Sequence, residues 1–111
     1  MQLSKQLTVE GPSVQEVFDF TVEYIKSLGY QVVDIKPNLV FTKKTLIDDY
    51  GKVAELWLSV SVLGEHYITV FMDYQLRSQE RSDGSDNRGV LLAKIEEEYE
   101  GLWQRLRRLG K

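Results

Sequence analysis

Apolar and polar positions recur along this chain with two periods, and the switches between them mark the elements. Leu3, Lys5, Leu7 and Val9 alternate with polar residues, which predicts a brief strand. Gly11-Pro12 breaks it. Ser13-Val14-Gln15-Glu16 then fits a capping box, in which the Ser13 hydroxyl and the Glu16 carboxylate each take an unpaired amide of a first helical turn. Val14, Val17, Phe18, Thr21, Ile25 and Leu28 follow at helical spacing, with Phe20 and Tyr24 beside that stripe. Gly29 stands where a helix end calls for a left-handed residue, so 13–28 reads as helix. Stretches 30–36 and 39–44 are rich in β-branched and aromatic residues, and the turn-forming pair Pro37-Asn38 between them predicts a hairpin.

The strongest period-two pattern comes next. In 53–63 one face is Leu56, Leu58, Val60 and Val62, and the other is Glu55, Trp57, Ser59, Ser61 and Leu63. In 66–77 one face is Ile68, Val70, Met72, Tyr74 and Leu76, and the other is Tyr67, Thr69, Phe71, Asp73 and Gln75. A plain two-residue loop at Gly64-Glu65 would set the apolar face of one strand beside the mixed face of the next. Burying four or five side chains per strand, at about 1.5–3 kcal/mol each, outweighs a turn preference. The expected register therefore slips by one, with Val62 opposite Ile68, Val60 opposite Val70 and a loop at 64–66.

Residues 78–89 contain no apolar side chain and read as a mobile polar loop within a single 1–111 domain. A second helix follows over 88–109, striped by Leu92, Ile95, Tyr99, Leu102, Leu106 and Leu109 and widened by Leu91 and Trp103. Its glutamates (96, 97, 98 and 100) precede its arginines (105, 107 and 108), the order that the helix dipole favours. Short links between the four middle strands require antiparallel pairing. The fold class is thus α+β: a two-layer domain, order β-α-β-β-β-β-α, with an antiparallel sheet of about five strands and two helices on one face. That order of elements resembles the β-α-β4-α unit shared by the TATA-binding-protein half and by the helix-grip superfamily of birch-pollen-allergen and START-type ligand binders. The resemblance covers most of the chain, lies in topology and implies a fold; function does not follow from it.

Charge and composition then narrow the chemistry. Fourteen Lys and Arg against 17 Asp and Glu leave a formal charge of −3, which speaks against a nucleic-acid partner, although Lys43-Lys44 and the basic run at 105–111 form local positive patches. Without cysteine there are no disulfides, thiolate metal sites or cysteine nucleophiles. No apolar run reaches the roughly 20 residues that cross a bilayer, and the first residues lack an apolar signal core, so a cytoplasmic setting without a membrane partner is expected. His66, the single histidine, sits beside Glu65 in a hairpin loop with no nucleophile placed near it. Asp83-Gly84-Ser85-Asp86-Asn87 is rich in oxygen, but it lacks the glycine and glutamate positions of a calcium loop and is flanked by Arg81 and Arg88. Asp48 and Asp49 share the segment 45–51, read as a strand link, with Leu46, Ile47 and Tyr50. No cofactor, metal or catalytic residue is expected from these patterns. The glutamates 96–100 are read as a solvated face.

What remains is the second face of the sheet, which carries more aromatic surface than a solvated face needs. The expectation is a non-enzymatic binding module with Trp57, Tyr67 and Phe71 as anchors, and with Leu46 and Tyr50 contributed by the loop. It would hold a protein partner or its own copy as a homodimer, on the outer sheet face or in a sheet–helix groove. The alternative is a helix-grip carrier of a small apolar ligand, with a cavity lined by Met72, Tyr74, Tyr99 and Trp103.

Overall fold

A capping box, a left-handed glycine and two tight hairpins fix the chain path. In the computed structural model, which describes residues 2–47, 53–78 and 88–109, the elements are β1 (Gln2–Glu10), α1 (Val14–Ser27), β2 (Gln31–Lys36), β3 (Leu39–Ile47), β4 (Val53–Gly64), β5 (Tyr67–Ser78) and α2 (Arg88–Leu109). Ser13 Oγ accepts the Glu16 amide at 3.1 Å, and the Ser13 amide donates to Glu16 Oε1 at 3.1 Å, which closes the capping box. At the other end of α1, Gly29 takes φ +98. The Gly29 amide donates to Lys26 O at 3.0 Å and the Tyr30 amide to Ile25 O at 3.3 Å, the paired bonds of a Schellman ending. Between β2 and β3, Asn38 takes φ +66 after Pro37, as the third position of a type II turn requires. The Val62 amide donates to Asn38 O at 3.0 Å and ties that turn to β4.

All neighbouring strands pair antiparallel in the order β1-β5-β4-β3-β2, so β1 and β2 are the two edges of an open sheet. Strand parity sends Leu7, Val9, Val40, Leu56, Leu58, Val60, Val62, Ile68, Val70, Met72 and Tyr74 to one face, and all are buried. Val17, Phe18 and Ile25 of α1 and Ile95, Leu102 and Leu106 of α2 complete this core. Both helices cover the same face, as the pattern predicts. α1 lies over β4, α2 lies along β1, and the helices touch each other. No helix among the described residues is long and apolar enough to cross a membrane.

The β4–β5 hairpin keeps the predicted match of apolar faces and shifts its register by a further two residues. Val62 pairs with Val70, Val60 with Met72 and Gly64 with Ile68, so the residues between the last pair of the hairpin are 65–67 instead of 64–66, and Tyr67 already pairs with Glu10 of β1. Gly64 makes this possible: it adopts φ +134, and a Cβ there would collide with the Tyr67 carbonyl. A further correction concerns 45–47. These residues extend β3 and pair with β4, with Leu46 opposite Ala54, so Leu46 is a strand residue rather than a loop residue. Asp48, Asp49, Tyr50 and the 79–87 segment lie outside the described residues.

Candidate functional site

The uncovered face of the sheet carries the odd-numbered residues of β3, β4 and β5. Trp57 of β4 stands between Lys43 of β3 and Gln75 of β5, and Ser59 stands between Phe41 and Asp73. The Arg77 guanidinium lies 4.5 Å from the Trp57 ring centroid and the Lys43 ammonium 5.6 Å from it, so the indole is flanked by two cations. Lys43 also pairs with Glu55 at 3.5 Å, and Asp73 accepts the Ser4 hydroxyl at 2.6 Å. Gln2, Phe41, Trp57, Ser59, Asp73, Gln75 and Arg77 border a depression of about 190 Å³. Trp57 Nε1 is itself buried without a hydrogen-bond partner among the described residues. Indole N–H is a donor only, so this atom calls for an acceptor. The indole is half-buried, faces away from both helices and lies outside the main core, as the alternation in 53–63 predicts.

The other expected anchors do not converge on it. Phe71 pairs with Ser61, four residues along β4, or about 13 Å from Trp57 at strand rise. Tyr67 lies at the far hairpin end and is highly exposed beside the exposed Leu63. Leu46 corrects the expectation further: its parity with Val40 and Thr42 places it on the helix-covered face, partly buried against the core. Tyr50 lies outside the described residues. The aromatic neighbour of Trp57 is instead Phe41. Its parity with Lys43 was readable in the sequence, but the β3–β4 register that sets it beside Ser59 was not.

A second polar cluster lies beneath the helices. Lys44 follows Lys43 and so points to the opposite face. Its ammonium is 2.9 Å from Glu98 Oε2, donates to Leu28 O at 3.2 Å and sits 4.3 Å from the Tyr30 ring centroid. The Tyr30 hydroxyl donates to Glu98 Oε1 at 2.9 Å, and the Tyr24 hydroxyl reaches Glu98 O at 3.4 Å. Burial, and then the Glu98 charge, hold the Tyr30 and Tyr74 phenols well above their ordinary value. Burial also raises Tyr24, against the opposing pull of Arg105. Two readings change here: Glu98 is buried rather than part of a solvated acidic face, and Lys44 belongs to the interior rather than to a basic patch. Glu98 follows Ile95 by three residues and precedes Leu102 by four, so its place on the buried stripe was available in the spacing. The cluster ties the end of α1, β3 and α2 together, and its charges answer each other.

The residues of the alternative cavity sit close by. Met72 and Tyr74 are fully buried in the core, and Tyr99 and Trp103 pack against it with ring centroids 6.4 Å apart. The Tyr99 hydroxyl is engaged by Gln6 O at 2.7 Å. Tyr74 Oη and Thr21 Oγ1 are buried without hydrogen-bond partners among the described residues. No cluster of three or more His, Asp or Glu side chains suited to a metal occurs among the described residues.

No family model and no curated protein matches this sequence. The structure is similar to that of a START superfamily protein from Mycobacterium smegmatis, with a TM-score of 0.55 and 11% identity over 97% of this chain and 98% of that one. It is also similar to a protein from Thermus thermophilus, with a TM-score of 0.53 and 11% identity over 97% and 95% of the two chains. The fold is START-like. At such identity the likeness concerns architecture alone, and it agrees with the topological resemblance to helix-grip proteins.

Proposed function

We propose that the protein is a non-enzymatic binding module whose working surface is the uncovered sheet face centred on Trp57, and that its occupant is a carboxylate-bearing side chain of a protein partner. The observation that carries this reading is the Trp57 indole, flanked by Arg77 and Lys43 at the border of that depression, with its N–H buried and unpartnered among the described residues. Leaving such a donor unmade costs about 1–3 kcal/mol, which an outside acceptor recovers once a small shift of the indole opens the N–H to it. Arg77, Lys43 and the indole are donors only, which selects an acceptor-only group, and the two cations favour an anionic carboxylate over a neutral backbone carbonyl. The volume supports a side chain over a free small molecule: about 190 Å³ falls below the roughly 300–1,000 Å³ of drug-sized ligand sites.

The test uses the Trp103→Phe variant, in which Trp57 is the single indole. Short extended peptides that carry a glutamate are titrated against glutamine-matched controls, and the indole N–H resonance is followed by NMR. A saturable shift with the glutamate peptide that weakens with glutamine and disappears in Arg77→Ala supports the site. An indole resonance that ignores both peptides at millimolar concentration overturns it.

One observation favours a second reading, a carrier of a small and mainly apolar molecule: the unpartnered hydroxyls of Tyr74 and Thr21 under the helices. A bound fatty acid that shifts the Met72 methyl and Tyr74 ring resonances and spares the Trp57 indole would move the assignment to that interior.

A further inference from the structure

The two edges of this sheet are treated differently. At β1 the edge is guarded. Lys5 lies on the helix-covered side, where it pairs with Glu96 of α2 and sits 5.4 Å from the Tyr99 ring centroid, and the Tyr99 hydroxyl takes the Gln6 carbonyl. An inward charge and a covering helix are the usual means of stopping an edge from pairing. β2 touches neither helix closely, and all six of its residues are exposed. They include Val32, Val33 and Ile35, at 38%, 48% and 52% exposure. An apolar edge left open in this way is a template for another strand.

We propose that the occupant of this edge is a second copy of the chain. Its β2 would pair antiparallel with the first about a two-fold axis at Ile35, joining two five-stranded sheets into one. The charges within β2 select both the occupant and the register. Asp34 and Lys36 stand on the same face, opposite Phe41 and Leu39 of β3, and lie symmetrically about Ile35. Pairing centred on Ile35 therefore sets each Asp34 against the Lys36 of the other copy, twice in the dimer, with the two Ile35 side chains together on the opposite face. Moving the centre to Asp34 opposes two carboxylates, and moving it to Lys36 opposes two ammonium groups. The bulge between Val32 and Asp34 removes the centres further back by interrupting the regular ladder, while 34–36 stay in register with β3. A closed two-fold contact of this kind is isologous and ends at the dimer. It does not use Trp57: its Asp34–Lys36 pairs lie at the β2 edge of the sheet, two strands from the indole, so it stands apart from the functional reading above.

A strand contact this short belongs to the weak, transient class of interfaces. The test is sedimentation velocity of the whole chain up to about 1 mM, the range in which such contacts register. The expected result is a concentration-dependent dimer that Asp34→Lys and Lys36→Asp each weaken about tenfold, because two attractive cross-strand pairs become two repulsive ones. The double variant, which exchanges the two charges, restores dimerisation to near the parent level, and Trp57→Ala leaves it unchanged. Both charge positions are exposed, and unchanged far-UV dichroism confirms that the variants fold. A monomer at every concentration overturns the proposal. So does a dimer indifferent to the single changes, or a double variant no stronger than the singles.

Discussion

Lys43 and Lys44 are neighbours in sequence and build the same kind of cluster on opposite faces of β3. Each ammonium lies near an aromatic ring and a carboxylate. For Lys44 these are Tyr30 at 4.3 Å and Glu98 at 2.9 Å, with the two charged side chains only 11% and 7% exposed. For Lys43 they are Trp57 at 5.6 Å and Glu55 at 3.5 Å, with exposures of 36% and 31%. Solvent is the main difference. Inside, low dielectric strengthens every contact, and each charge must be answered by the protein itself, as Tyr30 and Leu28 O help to do. Outside, water screens the pair, and its members stay free to exchange one another for a partner's groups. One residue pattern thus ties elements together in the interior and, on the exterior, forms the surface proposed for recognition.

The sharpest way to break the comparison is to remove one partner of the inner pair. Glu98→Leu leaves the Lys44 ammonium buried without its carboxylate, and takes from the Tyr30 hydroxyl its acceptor. The expected loss of stability is about 3–5 kcal/mol, measured by urea unfolding. Lys44→Met combined with Glu98→Leu should recover most of that loss, because well-packed apolar groups replace a buried pair at little net cost. A Glu98→Leu loss below about 1 kcal/mol would mean that the interior cluster is solvated like the outer one.

The same contrast explains what the sequence made readable. Period-two alternation in 53–63 and 66–77 placed Trp57 outward and Tyr74 inward, because burying one whole face leaves parity no freedom. The capping box and Gly29 fixed the bounds of α1 because those signals are local. The interior pair escaped for the opposite reason. Lys44 interrupts an apolar stripe and ends the apparent strand, and only Glu98, 54 positions later on another element, makes its burial tolerable. A pattern scored one residue at a time treats both as surface. Leu46 was lost with Lys44, since a strand thought to end at the lysine turns everything after it into loop. The Trp57 surface was half legible: its central residue follows from parity, while Phe41 and Arg77 reach it through registers that side-chain packing sets.

Alkaline pH probes the inner cluster through its phenols. Tyr30 and Tyr74 hold their protons above the ordinary value of 10.0, first because of burial and then because of the Glu98 charge. The folded state thus binds protons that the unfolded chain has released. Their contribution is complete below pH 10 and fades as pH rises above it towards the folded-state values. Each such phenol steepens the loss by up to about 1.4 kcal/mol per pH unit. Urea midpoints measured between pH 8 and 11.5 should be insensitive to these groups at first and then fall. Tyr30→Phe, less stable at neutral pH because it leaves one Glu98 oxygen without its donor, should show a shallower fall. Equal slopes for the parent and Tyr30→Phe would show that this phenol titrates as if exposed.

The outer pair should respond least. Lys43→Ala removes a cation from one side of Trp57 and the partner of Glu55, yet both charges stay in water and Arg77 remains beside the ring. The expected stability change is under about 1 kcal/mol, within the range of exposed ion pairs. The indole should instead report the change locally: in the Trp103→Phe background its emission moves to longer wavelength as the side chain that flanks it is lost. In the peptide titration, Lys43→Ala should weaken glutamate recognition less than Arg77→Ala does, because Lys43 already shares its charge with Glu55 while Arg77 lies nearer the ring. If Lys43→Ala instead destabilised the fold as strongly as breaking the Lys44–Glu98 pair, solvent exposure would no longer separate the two clusters, and the outer face would have to be regarded as architecture rather than as a surface for recognition.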